Sequence, residues 1–343
     1  MQQENSRSGP LRTARPTLRQ VAALSGVSLK TASRALNGHP HVTPATSAKV
    51  HLAAEQLGFR LNGIARELRS GATSSTVGLI IGDLANPFYA KIARGAERVL
   101  RDHGLQLVTT STDENPELER TLAGELVERR VRALIVVPSS ADHGYLESER
   151  RHGLPVVFLD RPPVGVAADT ILLDNRAGTR SAIEHLLAAG HRRIGLIGDF
   201  SRLSTHRERI TGFGEAMTAA GIPNWQRYVR SDSHDIDSAE SLTREMLALP
   251  EAPTALFATN NRNTTGVLRV LRSRPDEIAL IGFDDFDLAD VLGVTVVAHD
   301  PVEMGALAAQ LALSRLDGDA EPPRTVVLPT WLVPRGSGEI RPS

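Results

Sequence analysis

The sequence predicts a small all-α head followed by a larger α/β body with parallel sheets, and three observations carry that reading. The first is charge. Residues 1–74 hold ten Lys/Arg against three Asp/Glu, and the other 269 residues hold 29 against 37, an asymmetry hidden in a net charge of −1 over 343 residues. A basic head on an acidic body points to a polyanion as the partner of the head, a solvated basic tail being the plainer alternative. The second is dense helix punctuation between Thr17 and Gly58. The third is the alternation of short apolar runs with helical stretches from Thr76 onward, the pattern of a parallel sheet covered on both faces.

Composition closes off several classes. Hydrophobic residues at 41% and charged residues at 23% are ordinary for a soluble globular chain. No apolar run reaches the ~18 residues of a membrane span. The polar, Arg-bearing stretch from Met1 to Pro16 lacks the apolar core of an export signal, so a cytoplasmic location is expected. The absence of Cys rules out disulfides, thiolate zinc sites and cysteine nucleophiles. The eleven His show no zinc spacing, and no G-x-S-x-G elbow is present. Asp284, Asp285 and Asp287 are three carboxylates in one loop with no matching set elsewhere. Gly212-Phe-Gly-Glu-Ala-Met217 starts like a dinucleotide fingerprint but lacks the third Gly and follows no strand. No metal, cofactor or catalytic activity is therefore expected.

In the head, residues 1–16 read as a disordered tail of Gln, Asn, Ser, Gly and Pro around scattered Arg. Thr17 caps a first helix running to about Leu24, with Leu18, Val21, Ala22 and Leu24 on its apolar side. Gly26 supplies the positive φ of a tight turn, and Ser28 caps a second helix that stops near Asn37-Gly38. Thr43-Pro44 opens a third helix that Gly58 closes. Three short helices, the first two joined by a tight turn, describe a helix-turn-helix, whose second helix enters the DNA major groove by its N-terminal end. The exposed residues there are expected to be Ser28, Leu29, Lys30, Thr31, Ser33 and Arg34, with Ala32 and Leu36 facing the core. Lys30 and Arg34 can reach guanine edges or phosphates. A three-helix protein-binding module is the competing reading.

Next comes Asn62-Gly-Ile-Ala-Arg-Glu-Leu-Arg69, a helix too short to be stable without a partner. With this segment the stretch from Thr17 to Gly71, including VAALSGVS, TASRALN and GFRLNGIARELR, resembles the LacI/GalR family of bacterial transcription regulators. The resemblance implies a helix-turn-helix domain over 17–61, and a hinge helix with linker over 62–74 that folds when two subunits meet over the minor groove. It also implies that Leu68 is a wedge that kinks the DNA. DNA contacts are expected from Thr17, Ser28, Leu29, Lys30, Thr31, Ser33, Arg34, Asn62, Ala65, Leu68 and Arg69. Leu29 departs from the small polar or aromatic residues often found at its position, so the operator sequence does not carry over.

In the body, strands are expected over 77–81, 106–110, 133–137, 156–159 and 171–173, then over 194–197, 255–258, 279–283 and 294–297. Helices are expected over 88–103, 117–129, 179–189, 209–220 and 238–247. So many strands make two sheets the natural arrangement. Asp83, Ser139, Asp160, Asp199, Asn260 and Asp284 each follow an expected strand, where open α/β sheets bind ligands. The turn preference of Asp, Asn and Ser is the bland account of the same pattern.

LANPFYAKIARGAE, FLDRPP, LLAAGHRRIGLIGD, RERITGF and LIGFDD resemble the core of the same family. That core is similar to periplasmic sugar-binding proteins, with two Rossmann-like lobes, three crossover strands and an effector between them. The implied lobes are 75–173 with 301–327, and 174–300 with 328–340. The implied effector site comprises Asp83, Phe88, Ser139, Asp160, Thr205, Arg209, Asn260, Asp284 and His299. Carboxylates accept from hydroxyls, Arg donates in a fixed fork and an aromatic face covers CH groups, which suits a sugar. For Arg209 the alternative is a surface Arg at a helix start, and for Phe88 plain core. Two departures stand out: Asn260-Asn261 replaces the family's usual Asn-Asp, and His299 replaces a common amide. Both leave room for an acidic or phosphorylated ligand.

The expectation is a dimeric, effector-controlled regulator, in the first place a repressor, that binds a palindromic operator and a sugar or sugar derivative, with no membrane partner. An activator or a corepressor-dependent regulator is the alternative. After Trp331 no apolar heptads follow, so a tetramerising coiled coil is not expected. A transport solute-binding protein shares the two-lobe body but needs an export signal and no basic head. A Rossmann-type enzyme needs a cofactor fingerprint or an acid–base–nucleophile set.

Overall fold

The computed structural model describes residues 16–59, 74–272 and 277–342. The expected tail over 1–15 and the expected hinge helix, with Asn62, Ala65, Leu68 and Arg69, lie outside the described residues. The chain divides into two units, 1–74 and 75–343.

The head is built from its caps inward. Helices α1 (Leu18–Ser25), α2 (Leu29–Leu36) and α3 (Pro44–Leu57) follow one another. Thr17 caps α1 through a reciprocal pair with Gln20, whose side chain accepts from the Thr17 N–H at 2.8 Å. Ser28 Oγ accepts from the Thr31 N–H at 3.1 Å, and Thr43 caps α3 ahead of Pro44. Gly26 (φ 67°) and Gly58 (φ 63°) close α1 and α3 in the left-handed region that a side chain resists. Val21, Ala22, Ala32, Ala35, Val50, Ala53 and Ala54 form the core. Such small side chains let three short helices pack closely.

One placement differs from expectation. Leu24 is 52% exposed, because the inward stripe of so short a helix is spent on Leu18, Val21, Ala22 and Ser25. Leu36 packs against the core as expected, half-buried, while Ala35 takes the deeper place in α2.

The body holds two six-stranded sheets. Strands β1 (Thr76–Ile81), β2 (Gln106–Ser111), β3 (Leu134–Val136), β4 (Val156–Leu159), β5 (Asp169–Leu173) and β11 (Thr325–Leu328) form the first, in the order β11-β5-β4-β3-β1-β2. Strands β6 (Ile194–Ile197), β7 (Val229–Arg230), β8 (Ala255–Ala258), β9 (Ala279–Phe283), β10 (Thr295–Ala298) and β12 (Trp331–Val333) form the second, in the order β12-β10-β9-β8-β6-β7. Every pairing is parallel except β10 with β12.

Helices α4 (Pro87–Asp102), α5 (Pro116–Glu128) and α6 (Glu147–Arg151) belong to the first lobe. Helices α7 (Asn175–Ala188), α8 (Ser204–Ala219), α9 (Ile236–Leu247) and α10 (Asn261–Leu271) belong to the second. Helix α11 (Pro301–Leu316) leaves the second sheet and packs on the first, against α4. Where the two helices meet, their backbones touch. A Cβ on Gly305 would stand 2.0 Å from the Ile92 carbonyl oxygen, and one on Gly95 2.0 Å from that of Val302.

Three strands (β7, β11, β12) and three helices (α6, α10, α11) go beyond those expected, and α8 starts at Ser204 rather than at Arg209. Arg209 therefore lies in the second turn of α8, not at a helix start. No helix among the described residues is long and apolar enough to cross a membrane.

Candidate functional site

In the head, α2 presents its N-terminal end through the Ser28 cap, whose hydroxyl also meets the Thr31 hydroxyl at 2.9 Å. Lys30 and Arg34 are exposed, and neither pairs with a carboxylate among the described residues. Leu29 is 48% exposed, an apolar side chain held in solvent beside them. Thr31 and Ser33 are half-buried, so they flank the exposed face rather than lead it. Thr17 is exposed, but its hydroxyl is committed to Gln20, which makes it first a cap.

In the body, the C-terminal ends of both sheets converge on a polar cavity of about 30 Å³, room for one or two waters. Phe88, Asp160, Thr205, Arg209, Asn260 and Asp284 line it. The two aspartates are matched features: each follows a central strand and takes a left-handed backbone, Asp160 at φ 65° after β4 and Asp284 at φ 73° after β9. Non-glycine residues hold that conformation only where the surroundings impose it, and such positions cluster at ligand sites. Here the N–H of Asp160 donates to Ile171 O at 2.8 Å and that of Asp284 to Val297 O at 3.0 Å, so strand pairing continues into the turn.

The electrostatics of the two differ. Burial pushes the Asp160 carboxyl up, with Arg161 and Arg209 pulling the other way. Asp284 is equally buried, but a hydrogen bond with His299 at 2.9 Å and the charge of Arg209 outweigh burial and hold it low. Arg209 is 7% exposed and lies over the Phe283 ring, 3.7 Å from its centroid. It donates through Nε to Asn175 Oδ1 at 2.8 Å and through Nη1 to Thr259 O. It forms no ion pair among the described residues.

The remaining lining is ionic and internally matched. Arg161 donates to both oxygens of Glu114, at 2.6 and 2.8 Å, and to Pro138 O at 2.8 Å. Asp199 accepts from His234 Nδ1 and from Asn260 Nδ2, both at 2.9 Å. That pairing overcomes burial, lowering Asp199 and raising His234. Across the cleft, Arg262 of α10 pairs with Asp83 after β1, and Asn261 Nδ2 donates to Asn86 Oδ1 at 2.8 Å.

Three expected effector residues stand back from the cavity. Asp83 is paired with Arg262. His299 lies behind Asp284, edge-on to Phe88 with centroids 5.5 Å apart. Ser139 shares a hydrogen bond with Thr112 Oγ1 at 2.9 Å, and its N–H donates to the buried Glu119. Asp199, marked by its place after a strand but not carried into the implied effector site, lines the cavity, and so do Asn86, Tyr89, Glu114, Arg161, His234 and Arg262, which sequence reasoning passed over. For Arg161 a signal was available: a charged residue directly after Asp160, at the end of a wholly apolar strand.

A basic helix-turn-helix head and a two-lobe body with a polar cleft define a ligand-responsive, DNA-binding regulator with a periplasmic-binding-protein-like sensor. Residues 17–62 match the bacterial regulatory proteins of the lacI family, and residues 183–338 match the periplasmic binding protein-like domain. The chain belongs to the lacI family of transcription regulators. It is 33% identical to the regulator CelR of Thermobifida fusca, covering 95% of this chain and 99% of that protein, and 32% identical to the regulator GalR of Escherichia coli K12, covering 94% and 95%. Among solved structures, it resembles a CelR–cellobiose complex (TM-score 0.69, 31% identity, 94% of this chain and 100% of that one). It also resembles the Cra regulator of Pseudomonas putida with fructose 1-phosphate (TM-score 0.69, 30% identity, 76% and 99%). A third is the lac repressor dimer bound to operator and the anti-inducer ONPF (TM-score 0.77, 25% identity, 95% and 99%). These relatives are DNA-binding regulators rather than enzymes.

Proposed function

We propose that this protein is a cytoplasmic, homodimeric repressor that releases operator DNA when an uncharged, polyhydroxylated ligand of the sugar class enters the cleft. Lys30 and Arg34 read or clamp the operator with Leu29 and the α2 cap beside them, and Leu68 wedges the minor groove.

The observation that carries the ligand class is the inventory of unspent groups. The two sequence departures that would suit an anion turn out to serve internal pairs. Asn260 is spent on Asp199 and on capping α10, Asn261 on Asn86, Arg262 on Asp83 and His299 on Asp284. Arg161 is spent on Glu114. What remains toward the cavity is Asp160, which accepts no hydrogen bond among the described residues though Arg161 Nε lies 3.5 Å away, the unspent lone pairs of Asp284, and the part of the Arg209 guanidinium that Asn175 and Thr259 leave free. Two acceptors and one small donor group suit hydroxyls. An anionic ligand would meet one unpaired cation among several carboxylates. The neutral sugar of the CelR complex is therefore the better guide than the sugar phosphate of the Cra complex.

The test is a thermal-shift screen of matched neutral and anionic compounds: glucose against glucose 6-phosphate and gluconate, and ribose and cellobiose beside them. Hits are then titrated into an operator complex followed by fluorescence anisotropy. A neutral compound is expected to stabilise the protein and release DNA, and Asp160→Asn to weaken that response. Stabilisation by an anionic member alone would sink the ligand class. For the head, Arg34→Ala should weaken operator binding about tenfold to a hundredfold, and affinity should fall steeply with salt through counterion release. An affinity indifferent to salt would remove the DNA reading.

A further inference from the structure

The cleft carries more cross-lobe bonding than ligand binding requires, and its centre is Arg262. This residue lies in the first turn of α10, on the second lobe, and pairs with Asp83 after β1, on the first. The adjacent Asn261 donates across the same gap to Asn86 at 2.8 Å, and Asn86 Oδ1 is at the same time the cap of α4. The two bonds thus tie the N-terminus of α10 to the N-terminus of α4. On the far side of the cavity Arg202 Nη2 donates to Glu114 O at 2.8 Å. Lys91 reaches Asp287 and Asp285 O, both at 3.3 Å, but Asp287 is 81% exposed and such a surface pair holds little. Arg262 and Asp83 are set deeper: their side chains are 23% and 16% exposed.

Ordinary small-molecule sites are about 300–1,000 Å³, and the cavity beneath these bonds is about 30 Å³. A ligand of ordinary size therefore enters only when the lobes part, and the Asp83–Arg262 pair lies across that opening. The bonding is also incomplete. Arg262 Nε and Asn261 Oδ1 are buried without partners. Buried unsatisfied groups carry a desolvation cost that parting the lobes would relieve, so the closed arrangement is held yet poised.

We propose that Arg262 and Asp83, with Asn261 and Asn86, form a latch by which the chain itself holds the two lobes together, and that the effector must break this latch to enter. The proposal goes beyond the ligand reading above and is independent of which compound binds. Its test needs neither ligand nor operator, so its failure would leave the proposed function standing.

Hydrogen exchange on the full-length protein is followed at residues 83–90 and 259–265 for the parent, Arg262→Ala, Asp83→Ala, the double variant, and the charge swap Asp83→Arg with Arg262→Asp. Each single substitution should speed exchange in both segments about tenfold, as expected where a coupling of about 1.4 kcal/mol limits local opening. The double variant should exchange no faster than either single, and the swap should regain part of the protection. Because Arg262→Ala could unfold the chain, Arg262→Gln is run beside it. Gln keeps a donor of similar reach, and exchange should fall between parent and Ala. Unchanged protection in a folded Arg262→Ala or Arg262→Gln protein, or additive effects in the double variant, would overturn the latch.

Discussion

Acidification should act on two buried histidines that burial pushes down, His191 and, in the wall of the cleft, His206. His206 lies in the first turn of α8, three residues before Arg209, and is 1% exposed. Its Nε2 meets Ser231 Oγ at 2.9 Å, its Nδ1 is buried without a partner, and its ring fills the space beside Gly198, where a Cβ would stand 2.0 Å from Cε1. Burial pushes its pKa from 6.5 down to about 4, against the pull of Asp199. The sign follows from proton uptake. Between 6.5 and about 4 the unfolded chain binds a proton that the folded chain refuses, so stability falls as pH falls through that window. At about 1.4 kcal/mol per unit, the full effect is about 3 kcal/mol, of which about 2 kcal/mol is lost between pH 7.5 and 5. His234 works in the opposite sense, since its raised value adds stability below 6.5 that is lost as pH rises through the folded value. The residue must therefore be isolated by substitution. Urea unfolding at pH 5, 6 and 7.5 is compared for the parent and His206→Gln, whose amide can still meet Ser231. The variant should lack about 2 kcal/mol of the parent's pH dependence. Parallel curves over that range would show that His206 is protonated without penalty in the folded protein, and the account of its burial would be wrong.

Three further outcomes follow from other parts of the molecule. Glu114→Gln removes the bidentate partner of the buried Arg161 and leaves it, of its carboxylates, only Asp160, 3.5 Å from Nε, which should cost about 2–4 kcal/mol in urea unfolding, an unchanged midpoint arguing that solvent already reaches Arg161. Gly305→Ala drives a methyl into the Ile92 carbonyl and should cost at least about 1–3 kcal/mol, whereas the same change at Gly124, inside α5 and facing open space, should stabilise by about 0.5–1 kcal/mol in the same thermal melt. Ser28→Ala removes the α2 cap and should destabilise the head by about 0.5–2 kcal/mol, read as faster amide exchange confined to residues 29–36, and uniform exchange in parent and variant would deny the cap its role.

What was legible in the sequence is what local physics decides. Thr17, Ser28, Thr43-Pro44 and the glycines at 26 and 58 announce helix ends because caps act within one turn, and the helices begin and end there. Eight of the nine expected strands stand out because buried strands are mostly apolar runs, whereas β2, an edge strand with no buried residue, shows only through its β-branched Val-Thr-Thr. Strands β11 and β12 carry exposed residues at sheet edges, and β7 has two residues, so none makes such a run. Helix α10 opens Asn-Arg-Asn-Thr-Thr, mostly weak helix formers, and depends on the Asn260 cap to start. In the cleft, residues at strand ends were readable by position. The pairs that fill it were not, because Arg161 finds Glu114 across 47 residues and Arg262 finds Asp83 across 179, and no periodicity encodes either.

The path of the chain between the sheets has a consequence for how the body is made. Strands β1 to β5 complete all of the first sheet but one edge, β6 to β10 nearly complete the second, and only then do α11 and β11 return to the first and β12 to the second. A ribosome delivers the helix that seats on Gly95, and both closing edge strands, within the last stretch of synthesis. Until then the nascent first lobe displays an uncovered groove along α4 and an unpaired strand edge, the kind of surface that chaperones protect. Neither lobe is a contiguous piece of gene, so neither can be cut out or exchanged by a single recombination. A frameshift near residue 320 would leave both halves unfinished at once.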